Sequence, residues 1–133
     1  MGTAKILPLS TLKQTVGMSG KQYTEVPWHA TRFVVRRFLS IQEVMTVIQR
    51  IIDGACDHDG NILIGLLDFS IRLSIVTAYA LVELPTDADE LYYVLYGSDL
   101  YDTVCKNVNR DQIDMIKNAV QRYVELSGNI RAT

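Results

Sequence analysis

The stretch Ile62–Val82, ILIGLLDFSIRLSIVTAYALV, is the longest apolar run in the chain, and the rest of the fold has to pack around it. It is too long for a single β-strand, because strands rarely exceed ten residues. Apolar residues recur at helical spacing along two stripes of its surface. A helix that is apolar on most sides belongs in a protein core or in a bilayer.

The charges within this run decide between core and bilayer. Its 21 residues are just enough to span a membrane. Asp68 and Arg72 lie in its first half, however, and charges inside a bilayer are costly. We therefore predict a central buried helix in which Asp68 and Arg72 form an ion pair four residues apart. Pro85 should end the helix, because the residue before a proline is pushed out of the helical region.

Length and cysteine content indicate a single domain in a reducing compartment. The 133 residues are enough for one domain with a real core. Cys56 and Cys105 are too few for a disulfide framework, so we expect two reduced thiols in a cytosolic setting. The first residues lack an apolar region of the length that a secretory signal needs.

The formal net charge of −2 conceals an uneven distribution. Residues 1–37 hold six basic residues against one acid, whereas residues 38–133 hold seven basic residues against fourteen acids. Such asymmetry between the two parts of a chain is typical of a tail that has a partner.

The chain divides into an arm and a body. Residues 1–21 mix Gly, Ser, Thr and Lys with no sustained period, and we predict an extended arm. Residues 22–133 form the single domain. Within it, residues 22–38 are rich in β-favouring side chains and predict a β-hairpin with His29-Ala30 at its turn. Pro27 confines the first strand to a sheet edge.

Helix start signals organise residues 40–128 into a helical bundle. Ser40 with Glu43 forms a capping box, Thr86 with Asp89 a second one, Ser98 caps a short helix and Asn109 with Gln112 opens the last helix. Gly54 is expected near the end of the first of these helices. Its predicted inward face is Ile41, Val44, Met45, Ile48, Ile52 and Ala55. The predicted fold class is therefore mainly α within α+β, a bundle around a central apolar helix with an N-terminal arm and hairpin.

The segment Asp57–Asn61, DHDGN, resembles the start of a calcium-binding loop, with Asp68 at its twelfth position. Its sixth position is Ile62 instead of the glycine that the turn needs, and the twelfth should be a bidentate Glu. We expect no metal site here, but a turn in which Asp59 or Asn61 caps the central helix. A metal-dependent activity around Asp57 and Asp59 is the third functional hypothesis.

Catalytic motifs are missing from the sequence. It contains no CxxC, HExxH, GxGxxG or phosphate-binding loop, and its two histidines are far apart. We expect a protein that is not an enzyme, with no cofactor and no small-molecule substrate. The acidic body also argues against nucleic acid, since a phosphate-binding surface usually makes the whole domain basic.

Two groups of residues are candidates for binding a protein partner. The stretch from Glu83 to Asp102 holds six acids, four tyrosines and no Lys or Arg. Interfaces are enriched in aromatic residues, although runs of charge more often simply face water. The arm and hairpin supply the opposite charge. The candidate partner-binding residues are Lys5, Lys13, Lys21, Trp28, Arg32, Arg36, Arg37, Asp87, Asp89, Glu90, Tyr92, Tyr93, Tyr96, Asp99 and Asp102.

The order of these segments resembles a family of small proteins. VPWHATRFVVRRFLS runs directly into SIQEVMTVIQRIID, and VTAYALVELPTDADELYYVLYGSDLYD and a closing amphipathic helix follow. Over about residues 23–125 the chain is similar to small proteins from the structural-gene modules of tailed bacteriophages. The resemblance implies a role in building a phage particle, in the virion or in the bacterial host cytoplasm, with the chain itself or other virion proteins as partners. The alternative is a small phage inhibitor or adaptor that binds a host protein through its acidic face.

Overall fold

The computed structural model describes residues 5–16, 23–127 and 130–131 of the chain. The α+β class is confirmed: within these ranges the chain is mainly helical and carries a small antiparallel sheet. The helices are α1 Leu9–Val16, α2 Ile41–Gly54, α3 Ile64–Tyr79, α4 Ala88–Tyr92, α5 Leu100–Lys106 and α6 Arg110–Ser127. A π-helical turn spans Tyr93–Gly97. The strands are β1 Tyr23–Trp28, β2 Thr31–Arg36, β3 Ile62–Leu63, β4 Ala80–Leu81 and β5 Ile130–Arg131.

The predicted hairpin is confirmed. Strands β1 and β2 pair antiparallel, with Trp28 opposite Thr31 and His29-Ala30 as the turn between them. His29 has a φ of 55°, a left-handed conformation that such a tight turn imposes on a residue other than glycine. The inward side chains Val26, Phe33 and Val35 are buried, so the hairpin covers one side of the core.

The central helix is shorter than predicted. Helix α3 ends at Tyr79, well before Pro85, because Ala80 turns to an extended conformation and joins β4. Strand β4 pairs antiparallel with β2, which gives a three-stranded sheet in the order β1-β2-β4. At the other end β3 pairs in parallel with β5. Both ends of the apolar run therefore pair as strands, β3 and β4, instead of continuing the helix.

Core packing covers α3 on only part of its surface. Ser70, Ile75, Val76 and Tyr79 are buried, whereas Ile64 and Leu66 are exposed. The prediction of a helix buried on most sides is therefore wrong for the N-terminal half of α3. The Asp68–Arg72 pair is confirmed, with Arg72 Nε 3.1 Å from Asp68 Oδ2.

Helix α2 packs closely on α3, and Gly54 makes this possible. A Cβ at Gly54 would lie 2.5 Å from Ser70 Oγ, so any side chain there would force the Ser70 side chain to move. Ser70 Oγ donates a hydrogen bond of 2.8 Å to the Ile51 carbonyl, which satisfies the buried hydroxyl. Gly54 is also the last residue of α2, as predicted.

The inward face of α2 is rotated relative to the predicted one. Val44, Val47 and Ile51 point into the core, whereas Ile41 and Met45 are 68% and 61% exposed. Helical spacing alone identified an apolar stripe, but neighbouring elements decide which edge of that stripe is covered.

Cap predictions differ in outcome. The capping box of α2 is confirmed, since Glu43 N donates to Ser40 Oγ over 3.2 Å and Ser40 N to Glu43 Oε1 over 3.1 Å. Asn109 caps α6 as predicted, accepting from Gln112 N over 2.9 Å. For α5, Ser98 Oγ accepts weakly from Leu100 N at 3.3 Å, and the N-cap position is Asp99.

The second predicted capping box is wrong by one residue. Asp87, and not Thr86, is the N-cap of α4, and its carboxylate accepts from Glu90 N over 3.0 Å. Aspartate and threonine are both good caps, so the sequence alone does not separate two that are adjacent. The central helix begins after Leu63 without a side-chain cap, which makes the expected Asp59 or Asn61 cap wrong as well.

Gln112 is one of two buried polar residues in the described part of the chain and joins three elements. Its Oε1 accepts from Leu39 N at 2.8 Å and from the Tyr79 hydroxyl at 2.7 Å, and its Nε2 donates to the Leu39 carbonyl at 3.0 Å. Asn109 N also donates to the Arg37 carbonyl at 2.8 Å. These bonds hold the entry to α2, the end of α3 and the start of α6 together.

Replacing Gln112 by leucine should therefore destabilise the fold. The change keeps the volume but leaves the Leu39 amide, the Leu39 carbonyl and the Tyr79 hydroxyl without their partner in the core. Buried groups without partners cost about 1–3 kcal/mol each, so we expect a loss of about 2–5 kcal/mol in the free energy of unfolding. Urea denaturation measures it. Gln121→Leu, at an exposed position of the same helix, is the control, and equal losses in both variants would contradict the assignment.

Candidate interaction surfaces

The acidic stretch lies on the two short helices α4 and α5 and the turn between them. Asp87 caps α4, Asp89 and Glu90 occupy its first turn, and Asp102 occupies the first turn of α5. All four are exposed. Carboxylates are favourable at helix N-termini, so helix starts explain part of the clustering of acids. The four carboxylates nevertheless face solvent.

Tyrosines of this stretch divide between surface and core. Tyr92 and Tyr93 are 59% and 68% exposed, Tyr96 is half-buried and Tyr101 is buried. Tyr92 stacks on Tyr96 with ring centroids 4.9 Å apart, and the Tyr96 ring also stacks on Phe69 of α3 at 6.3 Å. The result is a stack of three rings that opens to solvent at Tyr92.

Arg72 and Asp68 of α3 complete this cluster. Arg72 lies over the rings of Tyr96 and Tyr101, 4.2 and 4.8 Å from their centroids, and donates to the Leu95 carbonyl at 2.9 Å. The Tyr96 hydroxyl donates to Asp68 Oδ2 at 2.6 Å. Burial and this bond raise the pKa of Tyr96 to about 12. We call Phe69, Tyr92, Tyr93 and Tyr96, with the exposed acids Asp87, Asp89, Glu90 and Asp102, the acidic tyrosine surface.

The sequence did not indicate that Phe69 and Arg72 of α3 contact the ring of Tyr96. It identified the Asp68–Arg72 pair, but only as a pair on the central helix. The π-helical turn, with its wider hydrogen-bonded loop, places Tyr96 over α3. No local pattern in the sequence predicts a π-helical turn. The sequence therefore did not indicate that residues of α3 pack against these tyrosine rings.

The tip of the hairpin contacts the acidic stretch of the same chain. Trp28 Nε1 donates to Asp99 Oδ1 at 2.7 Å, and His29 Nε2 lies 3.1 Å from the same oxygen. Trp28 also packs edge-on against Phe33, with centroids 5.9 Å apart. The bonds from Trp28 and His29 hold the pKa of Asp99 below its usual range. Trp28 and Asp99, both candidates for an external partner, are thus joined to each other within the monomer.

Two of the basic candidates have acidic neighbours in the same chain. Arg36 binds Glu43 through its two terminal guanidinium nitrogens, with Nη2 2.7 Å from Oε1, and its side chain is only 13% exposed. Arg32 lies 3.4 Å from Glu25 in a pair that is exposed on both sides. Arg36 therefore presents little charge outward. Arg37, Lys5 and Lys13 are exposed, and Lys21 lies outside the described residues.

The arm contains a helix where an extended segment was predicted. Leu9–Val16 form α1, and Pro8 lies just before it, with its carbonyl accepting from Leu12 N at 3.0 Å. Every side chain from Lys5 to Thr15 is exposed, and Leu9 and Leu12 are 64% and 41% exposed. A helix of eight residues is marginal on its own. The arm thus presents apolar and basic side chains that the monomer leaves uncovered.

The Asp57–Asn61 loop is a tight turn. Asp57 Oδ1 accepts from the backbone amides of Asp59 and Asn61, each at 2.9 Å, and Gly60 adopts a φ of 82°. Asp57 thus serves as an acceptor for its own loop. In the ranges that the structure describes, no group of three or more His, Cys, Asp or Glu side chains is placed to hold a metal.

Cys56 and Cys105 are free thiols, both half-buried. Burial raises the pKa of the Cys105 thiol, which makes it a weak nucleophile at neutral pH. Among the described helices, none is both long and apolar enough to cross a membrane. Comparison with protein-family models, with curated proteins and with solved structures gives no match for this chain.

The Arg36–Glu43 pair predicts a defined pH dependence of stability. The bonds from Arg36 and from Ser40 lower the pKa of Glu43 to about 2. A carboxyl whose pKa is lower in the folded state stabilises the fold above its unfolded pKa, and the effect is lost as the pH falls through the folded pKa. The stability difference between wild type and Glu43→Gln should therefore be full above about pH 4.5 and vanish towards pH 2.

Thermal melts between pH 2 and 7 measure this difference. Glu25→Gln is the matched control, because Glu25 pairs with Arg32 at a site where both side chains are more than half exposed and such pairs contribute little. A difference for Glu43→Gln that stayed constant across the whole range would show that the pair does not form in solution.

Proposed function

We propose that this protein is a structural or assembly component of a phage particle that acts through repeated protein–protein contacts and catalyses no reaction. The observation that carries the proposal is the coexistence, in one chain, of an arm with uncovered apolar side chains beside Lys5 and Lys13 and an exposed acidic tyrosine surface. In the proposed contact the arm of one copy lies on the acidic tyrosine surface of another copy or of a different virion protein. No cofactor takes part.

Exposure and charge on the arm support this pairing. Ile6 and Leu7 are 92% and 56% exposed, and Leu9 and Leu12 extend the apolar side along α1. Lys5 and Lys13 add positive charge. Ordering so short a segment needs a surface that buries these side chains.

The acidic tyrosine surface complements both the apolar side chains and the positive charge of the arm. Tyr92 and Tyr93 offer rigid, partly apolar rings, and aromatic faces also attract ammonium groups. Asp89 and Glu90 supply negative charge beside them. Complementary charge steers and registers such a contact more than it strengthens it. The hairpin is a poorer candidate for this role, because Trp28 and His29 already engage Asp99 of their own chain.

Deleting residues 1–20 should leave the fold intact and weaken assembly. Residues 5–15 are all exposed and add nothing to the buried core, so the melting temperature should shift little. Assembly of the full chain should also weaken as salt rises, since charges are screened within about 8–10 Å at ordinary ionic strength. Light scattering at low and high salt, with melting curves on both proteins, measures this.

Two results would contradict the arm contact. If truncation lowers the melting temperature of residues 22–133 strongly, the arm belongs to the core of the monomer. If neither truncation nor salt changes assembly, the charge distribution has no part in it. The double variant Lys5→Gln, Lys13→Gln removes two positive charges from the arm and should weaken assembly. The control is the double variant Lys106→Gln, Lys117→Gln, which removes two positive charges outside the arm.

A small inhibitor or adaptor of a host protein is the second candidate function. It is favoured by the same acidic tyrosine surface, because exposed tyrosines among acids also suit a host partner with a basic site. Mass measurement separates the two. Many copies in purified particles favour the structural role, whereas one-to-one complexes with a single host protein favour the adaptor.

A further inference from the structure

The Tyr92 ring has one face against the protein and one face towards solvent. Tyr92 stacks on Tyr96 with ring centroids 4.9 Å apart, yet it remains 59% exposed. The neighbouring Tyr93 ring lies elsewhere, against Gly97, where a Cβ on the glycine would be only 2.7 Å from it. The outer face of Tyr92 is therefore open to a further planar group.

The inner part of the same stack holds an arginine. Arg72 lies over the Tyr96 ring, 4.2 Å from its centroid, and its Nε is 3.1 Å from a carboxylate oxygen of Asp68. A guanidinium group is planar and carries its donors at its edge, so it can lie on a ring and bind a carboxylate at the same time. The ammonium group of lysine is a compact and strongly hydrated charge that does not stack in this way.

Tyr92 also has a carboxylate beside it. Asp89 lies three residues before Tyr92 on α4, and side chains at this spacing are neighbours on a helix surface. Asp89 is exposed, and within the described part of the chain its carboxylate takes part in no ion pair or hydrogen bond. The stretch from residue 83 to residue 102 contains no Lys or Arg that could neutralise it. The outer face of the stack thus offers a ring and a carboxylate, the two groups that hold Arg72 inside.

We propose that Tyr92 and Asp89 form a binding site for an arginine side chain of a partner protein. The ring accepts the flat face of the guanidinium group, and the carboxylate accepts hydrogen bonds from its edge. This inference rests on the proposed function, because it uses the acidic tyrosine surface, and it names the side chain that this surface takes. Residues 1–21 contain lysines and no arginine, so a partner segment other than the arm supplies it.

Charge decides between arginine and the other planar groups that stack on tyrosine. Nucleobases stack well on exposed aromatic rings, but they bring phosphates. Four exposed acids of this surface would repel a phosphate, namely Asp87, Asp89, Glu90 and Asp102. An aromatic side chain would carry no charge to pair with the Asp89 carboxylate. Of these groups, only arginine combines a flat face with positive charge.

Titration of the isotope-labelled full chain with two short peptides, followed by nuclear magnetic resonance, tests the site. The peptides Ac-GRGRG-NH2 and Ac-GKGKG-NH2 carry equal charge and differ only in the cationic group. We expect the arginine peptide to bind at least about threefold more tightly, the size of effect that one stacked cation gives at an exposed ring. Shifted amide signals should centre on residues 88–93. The side-chain protons of bound arginine should move upfield, because they lie over an aromatic ring.

Variants of Tyr92 separate stacking from charge. Tyr92→Leu should abolish the difference between the two peptides, whereas Tyr92→Phe should keep it, because the ring remains. Asp89→Asn should weaken the binding of both peptides. The matched control is Tyr123→Leu, at a tyrosine that is 47% exposed on α6 and outside this surface, and it should change neither affinity.

Three results would overturn the proposal: no binding of the arginine peptide, equal affinity of the wild type for both peptides, or a preference that survives Tyr92→Leu. If Tyr92→Leu does not fold, as its spectrum would show, the upfield shift of the arginine protons on the wild type decides. None of these results bears on the arm contact, which truncation and salt test. An arginine preference together with assembly that ignores truncation and salt would instead contradict only the arm contact.

Discussion

The side-chain amide of Gln112 is the point on which the arrangement of the described elements depends. It acts as a short piece of backbone, giving and receiving a hydrogen bond with Leu39 while also accepting from the Tyr79 hydroxyl. A buried amide must find partners for its polar atoms, and the Leu39 main chain and the Tyr79 hydroxyl supply them here. Hydrogen bonds depend on direction more strongly than apolar contacts do. This set of bonds therefore fixes the entry to α2 and the end of α3 against the start of α6.

Contacts within the monomer engage much of the charge that the sequence displays. Arg36 is held by Glu43, Asp68 by Arg72 and the Tyr96 hydroxyl, and Asp99 by Trp28 and His29. Fewer charged groups are therefore free to contact a partner than the count of charged residues suggests. Lys5 and Lys13 of the arm, Arg37 and the acids of α4 and α5 are among the charged residues that remain exposed.

Local signals in the sequence determined the parts that depend on near neighbours. The Ser40–Glu43 capping box, the Asn109 cap, the hairpin with its turn at His29-Ala30 and the Asp68–Arg72 pair each involve residues a few positions apart, and each was predictable. The acidic and tyrosine-rich nature of residues 83–102 was also visible, because exposure of short polar helices follows from composition.

Contacts between distant residues were decided only by the tertiary structure. The sequence paired Gln112 with Asn109 at the start of the last helix, yet its side-chain amide bonds to the main chain of Leu39, 73 residues away. Leu39 offers it two bonds in the core, where they are stronger than one at an exposed helix end. Likewise, Trp28 meets Asp99, β4 takes the end of the apolar run, and Ile41 and Met45 stay outside although they share a helical stripe with core residues. A sequence shows which side chains can be buried together, but the faces that are covered depend on where other elements lie, and that is a property of the whole fold.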